Sequence, residues 1–179
     1  MSDLSSKISL KDLTYIPYID ENGVINEELE GKIGIYAIFN QEQKLEYIGY
    51  SRNLLMSLKQ HLVRQTEKCY WFKFYLIERP SRSILEEIRS NWLAENEDLP
   101  KGNAEEEILW TQPIDAKLTM TQEDKAEYEK NDELGKIKLL KKVARRLEEE
   151  VKQKLQSRNV TIEIRFNPKL KEDGLLDLK

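Results

Sequence analysis

The side chains able to do chemistry in this chain are few and unevenly spaced. Tyr36 ends the tripeptide Gly34-Ile35-Tyr36 and Tyr47 begins Tyr47-Ile48-Gly49, with ten residues between them. Both phenols can face a ligand or simply fill a pocket of a sheet. His61, the only histidine, has the side chain best suited to general acid or base work, and it can equally be a polar residue on a helix surface. Cys69, the only cysteine, excludes an intrachain disulfide and a multi-cysteine zinc site. It reads either as a redox thiol or as a small apolar residue entering an aromatic strand. A third group is Lys136, Lys138, Lys141, Lys142, Arg145 and Arg146, which can track phosphates. Glu148, Glu149 and Glu150 follow at once, as they would on a solvated helix face.

The elements that must position these groups follow from periodicity and punctuation. GKIGIYAIF and KLEYIGY alternate as strands, about 33–39 and 45–50, joined through the polar stretch Asn40-Gln41-Glu42-Gln43-Lys44. A helix over about 52–65 has Leu54, Leu55, Leu58 and Leu62 on one face. Cys69 to Ile77 is an aromatic third strand that sends Trp71, Lys73 and Tyr75 opposite to Phe72, Phe74 and Leu76. A second helix, capped by Ser81 or Ser83, has Ile84, Leu85, Ile88, Trp92 and Leu93 at helical spacing. Pro100-Lys101-Gly102-Asn103 closes this unit.

The predicted organisation is therefore an acidic lead-in at 1–32, a small α/β (α+β) domain at 33–110 with a three-stranded mixed or antiparallel sheet flanked by helices, a linker at 111–120, and a charged extension at 121–179. The extension holds a long helix with Leu134, Ile137, Leu140, Ala144, Leu147, Val151 and Leu155 in steps of three and four, then a strand from Val160 to Phe166. Its apolar stripe reads as intramolecular core rather than a coiled-coil seam, and Trp71, Trp92 and Trp110 as core or domain-interface anchors.

With 179 residues, 39% hydrophobic and 35% charged, the composition is that of a globular protein with charged helices. No apolar run approaches a membrane span, and no targeting peptide shows, which by default means the cytoplasm and no membrane partner. The net charge of −4 and the 10 basic against 12 acidic residues in 33–110 argue against tight phosphate binding by that domain. Residues 136–158 reverse the balance, nine basic to three acidic.

The two tripeptides, their spacing and the helix that follows resemble the signature of the GIY-YIG nuclease superfamily. That resemblance implies metal-dependent phosphodiester hydrolysis, with the two tyrosines beside the scissile phosphate, an arginine on the first helix stabilising charge, and a glutamate on a later helix holding Mg²⁺. Tyr36 and Tyr47 match the tyrosines and His61 the helix histidine. The arginine position, ten residues after Tyr47, holds Ser57, with Arg52 and Arg64 at other turns of the helix. The glutamate position, three residues before Trp92, holds Arg89, whose guanidinium repels a metal ion. Glu86, one turn earlier, is the alternative metal ligand. Asn103 fits the asparagine that closes many of the family's domains.

Residues 34–103, with Ser51-Arg52-Asn53, Glu67-Lys68-Cys69 and Pro100-Lys101-Gly102-Asn103, are similar to the GIY-YIG-like domain that precedes the glutaredoxin module of plant plastid monothiol glutaredoxins. This suggests a cyanobacterial or plastid lineage. The charged helix stands where that module would follow, so no redox function is carried over.

The sequence reading is thus a nuclease-like module with a degenerate site, binding nucleic acid or a protein, with Tyr36, Tyr47 and His61 as the remnant site and Lys138, Lys141, Lys142, Arg145 and Arg146 as a nucleic-acid contact. No cofactor is expected. An active endonuclease would need Mg²⁺ at Glu86, with Arg52 or Arg89 on the phosphate. A third alternative is a structural or regulatory protein docking through the basic helix. Oligomeric state stays open.

Overall fold

The structure, a computed structural model, describes residues 8–179. It is an α+β fold whose chain divides into two compact units between Thr111 and Gln112. No helix among the described residues is long and apolar enough to cross a membrane.

The first unit is built on a four-stranded sheet of β1 (Ile16–Pro17), β2 (Ile33–Phe39), β3 (Leu45–Ser51) and β4 (Trp71–Ile77), in the order β1-β4-β2-β3. Every pairing is antiparallel. The expected three-strand sheet thus gains an edge strand from the stretch read as a lead-in. That stretch is folded rather than appended: Leu10, Tyr18, Ile25 and Leu29 are buried. The β2–β3 turn is fastened by Asn40, whose backbone N–H donates to Lys44 O and whose side-chain oxygen accepts from the N–H groups of Glu42 and Lys44.

Helix α1 (Leu54–Arg64) starts where Asn53 accepts a hydrogen bond from Met56 N, and α2 (Arg82–Ala94) starts where Ser81 accepts from Ile84 N. Alternation along β2 separates two faces. Ile35, Ala37 and Phe39 join Ile48, Leu85, Ile88 and Trp92 in a cluster with α2. Tyr36 and Ile38 face the other way, the side on which Tyr36 meets α1 through His61. A short helix α3 (Glu107–Thr111) ends the unit.

The second unit starts inside the expected linker: β5 (Ile114–Asp115) pairs with β6 (Leu175–Leu176), and Ala116 is fully buried. The long helical pattern is two helices, α4 (Gln122–Lys130) and α5 (Glu133–Ser157), parted at Asn131–Asp132, where Asp132 caps α5 by accepting from Gly135 N. α5 buries Leu139, Leu140, Val143, Ala144, Val151 and Leu155. Leu134 is 71% exposed. The neighbouring α4, QEDKAEYEK, has only Ala126 and Tyr128 to set against that first turn. A short helix α6 (Pro168–Lys171) precedes β6.

The strand expected over Val160–Phe166 does not form. Its alternation is real, with Phe166 buried and Thr161, Glu163 and Arg165 exposed, yet only Phe166 finds a bridge partner, Leu178. A run with strand periodicity becomes a strand only where another edge is available to pair with it.

Candidate functional site

The register of the β2–β3 hairpin sets the two motif tyrosines on one face. Tyr36 lies opposite Gly49 and Tyr47 opposite Ile38. Gly49 is required by this arrangement, since a Cβ there would come within 2.8 Å of the Tyr36 hydroxyl and 2.7 Å of the Tyr47 ring. Gly34 answers a different need, because its missing side chain lets β2 lie against the Tyr75 carbonyl of β4. Asn103 completes the frame. Its side-chain oxygen accepts from Ile48 N and its amide donates to Ile48 O, both at 2.8 Å, so one side chain saturates the backbone of β3 beside Tyr47.

His61 projects from α1 into this frame and shares a 2.6 Å hydrogen bond with the Tyr36 hydroxyl through Nε2. Its ring lies 4.9 Å from that of Tyr47. Trp110 of α3 closes the group, stacked on Tyr47 with ring centres 5.2 Å apart and planes within 3°. Tyr36, Tyr47, His61 and Trp110 are all buried. The sequence reading missed Trp110 as a member of this site, because it lies 63 residues beyond Tyr47 and only the packing of α3 brings it back.

Burial governs the protonation of the group. It raises the Tyr36 phenol well above its ordinary value of 10, with the neighbouring Tyr47 adding to the effect. Burial also raises Tyr47, against the pull of the Arg89 and Arg64 charges. His61 is pushed down to about 3, first by burial and then by the Arg64 charge. At neutral pH the site therefore holds two phenols and a neutral imidazole, with no strong base among them.

Several buried nitrogens around this site, Arg89 Nε included, lack a hydrogen-bond partner. Among the described residues, the buried His61 Nδ1 and Trp110 Nε1 make no hydrogen bond. The Trp110 backbone lies within reach of the imidazole and favours its charged form, at a geometry short of a full hydrogen bond. Each such group costs about 1–3 kcal/mol when buried dry.

Ser57 stands at the expected arginine position and its hydroxyl donates to Ser51 Oγ at 2.6 Å. Arg52 is exposed on the turn before α1. Arg64 donates through Nη1 to the Trp110 carbonyl at 2.9 Å. On α2, Arg89 Nε lies 3.5 Å from Glu86, which also accepts from the Tyr50 hydroxyl at 2.7 Å.

Mg²⁺ is held by carboxylate oxygens and waters in an octahedron. Glu86, the alternative ligand, is engaged by a phenol and a guanidinium, and no group of three His, Cys, Asp or Glu able to hold a metal occurs among the described residues. Cys69 is fully buried, and its thiol donates to the His61 carbonyl at 3.5 Å.

The basic residues expected to contact nucleic acid divide on α5. Arg146 is committed to the buried Asp124 at 2.6 Å and Lys141 to Glu172 at 3.4 Å. Lys138, Lys142 and Arg145 are exposed, at helical spacing along one face.

Residues 32–103 match the family described as the GIY-YIG catalytic domain. A stretch of 63 residues is 30% identical to the bifunctional monothiol glutaredoxin-S16, chloroplastic, of Arabidopsis thaliana, covering 35% of this chain and 22% of that protein. The chain thus spans about a fifth of the length of the curated relative it matches.

Proposed function

We propose that the GIY-YIG domain at residues 32–103 is a nuclease-like module that binds nucleic acid and does not cleave it. One observation supports this reading: Arg89, at the position where the family resemblance expects a metal-holding carboxylate, lies 3.5 Å from Glu86, and its charge acts on Tyr47. A cation there opposes Mg²⁺ and favours a phosphate directly. Arg64, whose charge reaches Tyr36, Tyr47 and His61 and which donates to the Trp110 carbonyl, is a positive group beside the tyrosines. With Ser57 in place of the helix arginine and no base poised near neutrality, binding remains and hydrolysis is lost.

The test is incubation of clean protein with plasmid, nicked, branched and single-stranded DNA in Mg²⁺ or Mn²⁺. No cleavage above that of Tyr47→Phe is expected. Metal-dependent cutting that Tyr47→Phe abolishes would restore the endonuclease reading, with Glu86 as metal ligand. Since the chain carries a net charge of −4, binding is expected to be weak and to fall steeply with salt.

A second reading is favoured by the exposed row Lys138, Lys142 and Arg145. This row is a docking face for an acidic surface, either a phosphate backbone or a protein. Replacing all three with alanine separates the readings: loss of nucleic-acid binding places the contact on α5, and unchanged binding leaves it to the tyrosine pocket. The chloroplastic relative supports a plastid or cyanobacterial lineage for the chain.

A further inference from the structure

We propose that residues 104–111 form a latch over the tyrosine pocket, with the Trp110 indole standing in the place of a stacked nucleobase. The inference rests on the nucleic-acid reading of that pocket. The segment lies just beyond residues 32–103, the range of the family match.

Its attachment is narrow. Of the three consecutive apolar residues of α3, Ile108 is 71% exposed and Leu109 is 46% exposed, while Trp110 is fully buried. Two polar clasps hold the rest: Lys68 Nζ donates to Glu106 at 2.7 Å and Arg64 donates to the Trp110 carbonyl.

The way Trp110 sits points to a ligand's place. Its ring lies parallel to Tyr47 at 5.2 Å, as a base stacks on an aromatic side chain. Arg64, bonded to the Trp110 carbonyl, supplies charge beside that stack, where the phosphate of a nucleotide would need it. Ordinary core packing accounts for the burial of the indole. It does not account for Trp110 Nε1 and His61 Nδ1 both lying buried and unbonded in one pocket. A base, which has donors and acceptors around its edge, can satisfy His61 Nδ1 once the indole has left, and the indole cannot. The closed state is therefore a competitor for the pocket, and opening the latch is a condition of binding.

The experiment uses the intact chain, hydrogen–deuterium exchange, and fluorescence anisotropy with a labelled oligothymidylate. In the wild type, amides of 104–111 should exchange faster than those of β2 and β3. Lys68→Ala, which breaks a clasp outside the pocket, should quicken that exchange and tighten oligothymidylate binding by about five-fold. Because it removes a positive charge, a purely electrostatic role for Lys68 predicts weaker binding instead. Trp110→Ala should tighten binding as well, with its folding checked by the denaturation midpoint.

Exchange at 104–111 no faster than in β2 and β3, and unmoved by Lys68→Ala, would overturn the latch whatever the binding result. Faster exchange with unchanged affinity would overturn the indole as competitor. Faster exchange with no binding by either protein would overturn the nucleic-acid reading, and the nucleobase with it.

Discussion

The two faces of the four-stranded sheet come from the same strands and are packed on different terms. Under α2, Ile35, Ala37, Phe39, Ile48, Leu85, Ile88 and Trp92 form an apolar cluster, and the Trp92 indole N–H donates to Ile8 O at 3.0 Å. Under α1, the same strands present Tyr36 and Tyr47 to His61 and Trp110, and two buried nitrogens go unbonded. The first arrangement is mainly apolar, and the ammonium of its buried Lys73 is bonded to Leu10 O. The second carries a cost that stability does not explain, and in folded proteins such costs gather at functional sites. That cost is what opening the proposed latch to a ligand would relieve.

The largest test of this contrast is Trp92→Ala. Truncating a fully buried indole should cost about 3–5 kcal/mol, seen as a large drop in the urea midpoint, and a loss below about 1 kcal/mol would remove the claim that the α2 face anchors the unit.

Acid provides the next test. His61 sits at about 3 in the folded chain against 6.5 when exposed, so below pH 6.5 the unfolded chain takes up a proton that the folded one refuses. Stability is thus complete above pH 6.5 and falls as the pH drops toward 3, by up to about 1.4 kcal/mol per pH unit. His61→Leu should flatten that slope. Asp124 acts lower, since the hydrogen bond from Arg146 holds it at about 2, so its contribution is present above about pH 4 and is lost as the pH falls through 2.

A smaller effect separates pairing from packing. Tyr36→Phe leaves His61 Nε2 without its partner and should cost about 1–3 kcal/mol, while Tyr36→Phe with His61→Leu should recover most of the loss. A double variant as unstable as the sum of its parts would mean that the pair does not act as a unit. Smallest, Ser81→Ala removes the cap of α2 and should cost about 1 kcal/mol in the same assay, without changing any property of the tyrosine pocket.

Much of this was legible from local chemistry. The hairpin, the apolar face of α1, the cap and spacing of α2, and the opposite facing of Trp71 and Phe72 all depend on neighbours a few residues apart, which periodicity reports directly. The second unit was harder to read. Its long helical pattern contains a break at Asn131–Asp132, and Val160–Phe166 alternates as a strand does without a ladder to join. The edge strand Ile16–Pro17 is too short to leave a periodic signal, and it is defined by its partner, Phe72 with Trp71.

What the sequence determined by itself is the frame: two tyrosines on one face, a glycine opposite one of them, and a histidine on the helix that follows. Those facts follow from spacing along strands and helices of fixed geometry. Only the tertiary structure decided that the frame is closed. Trp110 reaches Tyr47 because a chain segment folds back across 63 residues. The protonation of Tyr36, Tyr47 and His61 is set by the resulting exclusion of water, which no local pattern records.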